Sequence, residues 1–279
     1  MLQRAIQLLI APLVAAAGSL SADEPVLEHL PGIENGAPIP CQVYAPASKN
    51  QTEAGLVIHL YGSGGSHRLG HYNVGRPPYD LLRQLLAKRG YWLVVPGLGS
   101  KHWMNDEACL KVDSVIEAMV KRHNVDHRKV HLLGTSMGAG SSLIYQMRRP
   151  AKIRSLVAIF PMTDFPRWLE EKPIYRMVVE RAHGITTKTR ATGLNEISPL
   201  LHPEAFRNVP MMLIHGNRDA VVPPHHSRNF AAVLKKIGAN VIYREAKGEM
   251  HRDEIARPYQ QELADFLTRK DVKAEDRRR

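Results

Sequence analysis

The sequence predicts an α/β fold: a mostly parallel twisted sheet with helices on both faces and a small cap insertion. Three observations point there. Short apolar runs rich in β-branched residues alternate with longer stretches of helical period. The runs are apolar almost throughout, as suits strands covered on both faces. In "VHLLGTSMGAG" (Val130 to Gly140), a serine between two glycines joins one run directly to a helical stretch.

The chain begins with one early cation, Arg4, an apolar stretch from Ala5 to Ala17, and small residues before Asp23. This pattern reads as a secretory signal over residues 1–22, with cleavage after Ala22. A membrane anchor needs about 20 apolar residues, and Pro12 and the short run argue against one. The expectation is therefore a secreted or periplasmic chain with no stable membrane anchor after cleavage. From residue 23 to 279 nothing repeats and no low-complexity linker intervenes, which reads as one domain.

"CQVYAP", from Cys41, is expected to add an antiparallel edge strand. The parallel strands are expected at Leu56–Leu60, Tyr91–Val95, Val130–Gly134, Leu156–Phe160, Met211–His215 and Val241–Glu245. Between them, Ala108, Val112, Val115, Ile116 and Met119 recur at helical steps, as do Ala139, Leu143 and Met147. Phe230, Leu234 and Ile237 follow, with Gly238 as a stop signal, and Ile255, Tyr259, Leu263 and Phe266 form the last stripe. The stretch 164–208 breaks the rhythm. It reads as one or two short helices and a loop capping one end of the sheet, too short to fold alone.

Lysine and arginine number 38 against 27 acids, a formal net charge of +11. The cations are scattered and no nucleic-acid motif accompanies them, so the excess reads as a solvated basic surface with no nucleic-acid partner. The closing "RKDVKAEDRRR" mixes both signs, as a frayed tail does. Cys41 and Cys109 would permit a disulfide in an exported chain, but spacing alone does not establish their proximity. "GSGGS" lacks the lysine and spacing of a phosphate loop. His67 and His71 have a metal-ligand spacing, yet Gly70 and Gly75 disfavour the helix it needs, so they read as loop histidines at a substrate entrance. Neither a metal nor an organic cofactor is expected.

Ser136 sits between the strand ending at Leu133 and a helix running to Pro150, the strand-turn-helix setting of a nucleophile elbow. Gly134 and Gly138 have a steric reason to be glycine, because side chains at so tight a turn would collide with neighbouring backbone. With its flanking strand and helix, "GTSMG" resembles the α/β-hydrolase superfamily over nearly the whole mature chain. That resemblance implies a serine, an acid and a histidine in that order.

Asp219, in "HGNRDAVVP" beyond a strand's carboxyl end, fits the acid, and its loop is similar to that of the dienelactone-hydrolase and prolyl-oligopeptidase-like branches. Asp164 in "FPMTDF" is the rival, but it precedes Phe165 and Pro166 as a helix N-cap would. His251 in "KGEMHRDE" fits the base, while His225 and His226 read as entrance or helix-start residues. The chemistry requires these types: His251 takes the proton from Ser136 and returns it to the leaving group, and Asp219 fixes the imidazole tautomer. The backbone amides of Met137 and Ser63, with Gly64 as the alternate to Ser63, are the expected oxyanion donors. Tyr61 stands where the family commonly has a histidine. Tyr61, Gly64, His67 and Trp168 are the expected substrate-binding residues.

These observations predict an exported serine hydrolase cleaving carboxylic esters of small molecules or oligosaccharides through an acyl-enzyme. The alternative is a peptidase or amidase of prolyl-oligopeptidase-like type. The resemblance implies a propeller domain for such peptidases, and the lack of one here inclines the reading to esters. A non-catalytic binding protein on a hydrolase scaffold is the remaining class, against which the serine, acid and histidine argue. The cap offers little apolar surface, so a shallow pocket favouring short acyl groups is expected.

Overall fold

The computed structural model describes residues 25–48, 53–68 and 78–269. The expected signal segment, His71 and the chain beyond residue 269 lie outside them. The strands are β1 (Val26–Leu30), β2 (Ile39–Tyr44), β3 (Ala54–Leu60), β4 (Tyr91–Pro96), β5 (Val125–Thr135), β6 (Ser155–Ile159), β7 (Met211–Gly216) and β8 (Val241–Ala246). They form one eight-stranded sheet in the order β1-β2-β4-β3-β5-β6-β7-β8. The two outermost pairings on the β1 side, β1–β2 and β2–β4, are antiparallel, and the rest are parallel.

Each expected strand is present, with two differences. The antiparallel strand at Cys41 is not the edge, because β1 pairs outside it. Strands β3, β6 and β7 are buried along their whole length, whereas β8, on the far edge, exposes Arg244 and Glu245. Only the interior strands therefore carry the uninterrupted apolarity that burial on two faces demands.

The helices include α1 (Asp80–Lys88), α2 (Asp106–His123) and α3 (Met137–Arg148). Asn105 caps α2 by accepting from the Ala108 amide at 2.9 Å. Asp106 and Glu107 lie in the first turn and Lys121, Arg122 and His123 in the last, each sign at the end of the helix dipole that favours it.

Between β6 and β7, the insertion holds α4 (Phe165–Glu171), α5 (Arg176–Ala182) and α6 (Arg190–Glu196). Phe165, Trp168, Leu169, Val179 and Leu194 are buried in the same apolar cluster as the sheet, so the insertion is packed onto the sheet's core. Asp164 caps α4, accepting from the Arg167 amide at 3.2 Å, with Pro166 in the first turn.

The last helices are α7 (His225–Lys236) and α8 (Gln260–Leu267). The apolar stripe that begins at Ile255 is not one helix. Asp253–Tyr259 winds more tightly and contains Pro258, which has no amide to donate to an α-helical ladder, and α8 starts after it. Cys41 and Cys109 are both free and buried. Their thiols donate to the Ile39 and Met104 carbonyls respectively. No helix among the described residues is long and apolar enough to cross a membrane.

Candidate active site

The end of β5 delivers Ser136 on a turn that few residues tolerate. Its backbone has φ 54° and ψ −119°, a conformation costing on the order of 1–3 kcal/mol and found mostly where function requires it. Hydrogen bonds on both sides hold it there. The Ser136 amide donates to the Ile159 carbonyl at 3.0 Å, and the Ser136 carbonyl accepts from the Ala139 and Gly140 amides at 2.9 and 3.1 Å. A Cβ on Gly138 would lie 1.9 Å from the Leu60 carbonyl oxygen, and one on Gly134 would lie 2.2 Å from that of Gly138. The steric reason for both glycines is therefore contact with backbone that cannot yield.

His251 bridges the serine and the acid. Its Nε2 lies 2.9 Å from Ser136 Oγ and its Nδ1 lies 2.7 Å from Asp219 Oδ2. Asp219 Oδ1 accepts from the Val221 and Val222 amides at 2.8 and 2.9 Å. His215, fully buried on β7, places Nε2 3.3 Å from Oδ2 and is itself held by Ser227 Oγ at 2.7 Å and the Val222 carbonyl at 2.8 Å. Burial opposes charge on Asp219, but the hydrogen bonds from His215, His251 and Val222 outweigh it and hold the carboxyl well below its usual range. An ionised Asp219 keeps the proton on His251 Nδ1 and leaves the Nε2 lone pair facing the serine hydroxyl. Asp164, committed to its cap, plays no part in this line.

Two contacts fix the histidine loop. Phe160, itself at φ 43°, packs its ring against the His251 imidazole with centroids 4.2 Å apart. The Arg218 amide donates to the Glu249 carbonyl at 2.9 Å, tying the acid loop to the histidine loop. Neither His215 nor Phe160 was identifiable from spacing, since a histidine and a phenylalanine at strand ends read as ordinary core residues.

The turn after β3 passes over the nucleophile: a Cβ on Gly62 would lie 3.5 Å from Ser136 Cβ. The Gly64 amide is already engaged by the Ser100 carbonyl at 2.9 Å, and Met137 is the first residue of α3, directly after Ser136. Ser63, Gly64 and Ser136 all line a cavity of about 510 Å³.

The cavity walls are more aromatic than the expected shallow pocket. Trp103, Phe160, Trp168 and Tyr175 contribute to them, and Trp168 stacks on Tyr175 with centroids 4.8 Å apart. The indole of Trp168 donates to the Val221 carbonyl at 3.1 Å, linking the cap to the acid loop.

Of the expected substrate-binding residues, Tyr61, Gly64 and Trp168 line the cavity and His67 does not. Tyr61 borders the cavity, but its hydroxyl is engaged with the Leu98 amide at 2.9 Å and the Gly99 carbonyl at 3.2 Å. It braces the loop after β4 instead of offering a polar handle. His67 is not on the cavity wall and packs against Gly97. Two further wall residues carry no motif of their own: Trp103, at φ 45° in "KHWMND", and Asp253, two residues beyond His251 in "KGEMHRDE". Burial, reinforced by Glu254 and opposed by His251, pushes the Asp253 carboxyl up to about 6.

The metal-ligating side chains that cluster among the described residues are Glu171, His225 and His226. Glu171 lies 3.1 Å from His225 Nε2 and 3.4 Å from His226 Nε2, and also accepts from Arg167 at 3.0 Å. None of the three lines the cavity that holds Ser136.

The sequence matches the prolyl oligopeptidase family over residues 110–270. No curated protein matches it by sequence. Among solved structures, it is similar to a puromycin hydrolase at 17% identity, covering 88% of this chain and 39% of that one, with a TM-score of 0.70. A puromycin-hydrolyzing peptidase of Mycobacterium tuberculosis is similar at 19% identity, with 91% and 40% covered and a TM-score of 0.73. The acylaminoacyl peptidase of Pyrococcus horikoshii is similar at 16% identity, with 91% and 42% covered and a TM-score of 0.68. The chain thus spans about two fifths of the length of these structures. Since the family match extends over more than half of its residues, the chain belongs to the prolyl oligopeptidase family, built on the α/β-hydrolase fold.

Proposed function

We propose that the chain is a serine hydrolase cleaving amide bonds of short peptides or aminoacyl compounds through an acyl-enzyme. The observation that carries this reading is the hydrogen-bonded line from Ser136 through His251 to Asp219, opening on an aromatic cavity at the carboxyl ends of the strands. The family match supports amides over the carboxylic esters that the motif alone suggested. Export of the mature chain from Asp23 is part of the proposal, carried by Arg4 and the apolar run after it.

In this mechanism, Ser136 Oγ attacks the scissile carbonyl as its proton passes to His251 Nε2. The imidazolium formed is stabilised by Asp219, whose carboxylate is already ionised and fully hydrogen-bonded. The carbonyl oxygen becomes an oxyanion that the Met137 and Ser63 amides receive. Fixed donors of this kind contribute about 10²–10³ in rate each. His251 then gives its proton to the leaving amine, and water repeats the sequence to release the acid.

A panel of dipeptide amides, aminoacyl arylamides, N-acylated arylamides and matched aryl esters tests the proposal. It expects turnover of unhindered arylamides, with esters of the same acyl group cleaved faster because alkoxides and phenoxides leave more readily than amines. Ester cleavage with no measurable arylamide cleavage across the panel would return the reading to a carboxylic ester hydrolase.

A further inference from the structure

The cavity around Ser136 holds one carboxylate among its described lining residues, and the catalytic line does not use it. Asp253 opens the tight turn that follows His251 and lines the same cavity as Ser136. Among the described residues, no side-chain hydrogen bond or ion pair reaches its carboxylate. The charged and titratable groups that face it are His251 and Glu254 on its own segment and the buried Tyr79 phenol across the fold. None is a permanent cation. Acids elsewhere on the molecule behave differently: Asp113, Asp126, Glu180 and Glu245 each meet an arginine within 3.0 Å.

A half-buried carboxylate without a donor is unfavourable unless something arrives to pair with it. The rest of the wall says what that is. Trp103, Trp168, Tyr175 and Phe160 present aromatic surface to the same cavity, and the negative faces of such rings attract cations. A single anionic group within an aromatic enclosure is complementary to an organic cation on a short apolar stem. An anion would be repelled by the carboxylate, and a neutral hydroxyl would donate to it without the added attraction of opposite charge.

We propose that Asp253 is the specificity-determining residue of the site, pairing with an ammonium group on the substrate beside the scissile bond. The substrate class is then an aminoacyl or peptidyl amide with a free amine, at the α-position or on a short side chain. This inference rests on the amide-hydrolase reading, and the binding arm below separates the two.

The turnover arm compares matched arylamides and aryl esters of the full chain: lysyl against norleucyl, and free α-amine against α-N-acetyl. Wild type is expected to favour the cationic member by about tenfold or more in kcat/KM, the scale of one charge-assisted hydrogen bond. The pair that shows this ratio identifies which amine is read. Asp253→Asn, and Asp253→Ser should the first variant fold poorly, is expected to bring the ratio close to one. In wild type alone, the ratio is expected to shrink as pH falls through about 6 and the carboxyl takes up its proton.

The binding arm needs no turnover. Protection of Ser136 from a fluorophosphonate is measured with benzylammonium and with benzyl alcohol, and the cation is expected to protect at the lower concentration in wild type only. A kcat/KM ratio near one in wild type with equal protection by both probes would overturn the proposal, as would a cation preference that survives in Asp253→Asn. Selective protection without arylamide turnover would keep the ammonium subsite and remove the amide-hydrolase reading.

Discussion

Two loops meet at His251, each carrying an aspartate, and the two carboxylates are treated in opposite ways. Asp219, on the loop after β7, accepts from two backbone amides and two imidazoles and is held ionised. Asp253, on the loop after β8, borders the cavity with no donor among the described residues and is pushed towards its neutral form. The difference teaches that burial alone does not decide what a carboxylate does. The number of donors aimed at it decides whether it serves as a permanent anion orienting a histidine or as an unsatisfied group open to a ligand.

The comparison can be broken most severely at Asp219. Asp219→Asn removes the charge while keeping the shape, and turnover is expected to fall by about 10⁴ because the amide stabilises the wrong imidazole tautomer. Steady-state kinetics on any good aryl substrate measures this, and a loss under tenfold would remove Asp219 from the catalytic line. Phe160→Leu, which leaves the acid in place but takes away the ring packed on His251, is expected to lower kcat by about tenfold with a smaller change in KM. An equal loss in a variant distant from the loop would show the effect to be general loosening.

Stability sharpens the contrast, since the two acids have opposite signs of linkage. Asp219 has a depressed folded-state value, so its contribution is present above the ordinary carboxylate value of 3.8 and is lost as pH falls below it. Asp253 has a raised one, so its contribution is present below 3.8 and is lost as pH rises through about 6. Asp253→Asn is therefore expected to stabilise the protein at pH 8 by about 1–2 kcal/mol, allowing for partial screening, and to raise Tm by a few degrees. That gain should be smaller at pH 5. Thermal unfolding at both pH values gives the answer, and a variant less stable than wild type at pH 8 would assign Asp253 a structural partner. The smallest effect belongs to the third aspartate, Asp164, whose cap is worth about 1 kcal/mol. Asp164→Ala should lower stability by that amount with kcat/KM close to wild type.

The residues that the structure brings together as expected are those whose places are written in local sterics or chain order. Gly134 and Gly138 announce a turn that only glycine can complete, and the order of serine, acid and histidine along the chain directs attention to Asp219 and His251. The residues that escaped notice act through distance. His215 sits in an apolar strand and reads as core until the Val222 carbonyl and Asp219 fold back onto it. Trp103 belongs to a polar loop, and nothing nearby in sequence says that it faces Trp168. Tyr61 was expected at the substrate and does line the cavity, but nothing in the sequence says that the loop after β4 engages its hydroxyl. In the fold, the strand runs were legible because burial on two faces leaves an uninterrupted apolar signature. The broken last helix was hidden, because the stripe from Ile255 to Phe266 keeps a helical period across Pro258.

The central claim is that Ser136, displayed at positive φ and hydrogen-bonded to His251, is the nucleophile. Incubation of the active protein with a fluorophosphonate, followed by peptide mapping, tests it directly. The account predicts one label per chain, on the peptide carrying Ser136, with labelling abolished in Ser136→Ala and strongly slowed in His251→Ala. A label on another serine, or activity lost to the inhibitor while the Ser136 peptide is recovered unmodified, would contradict it.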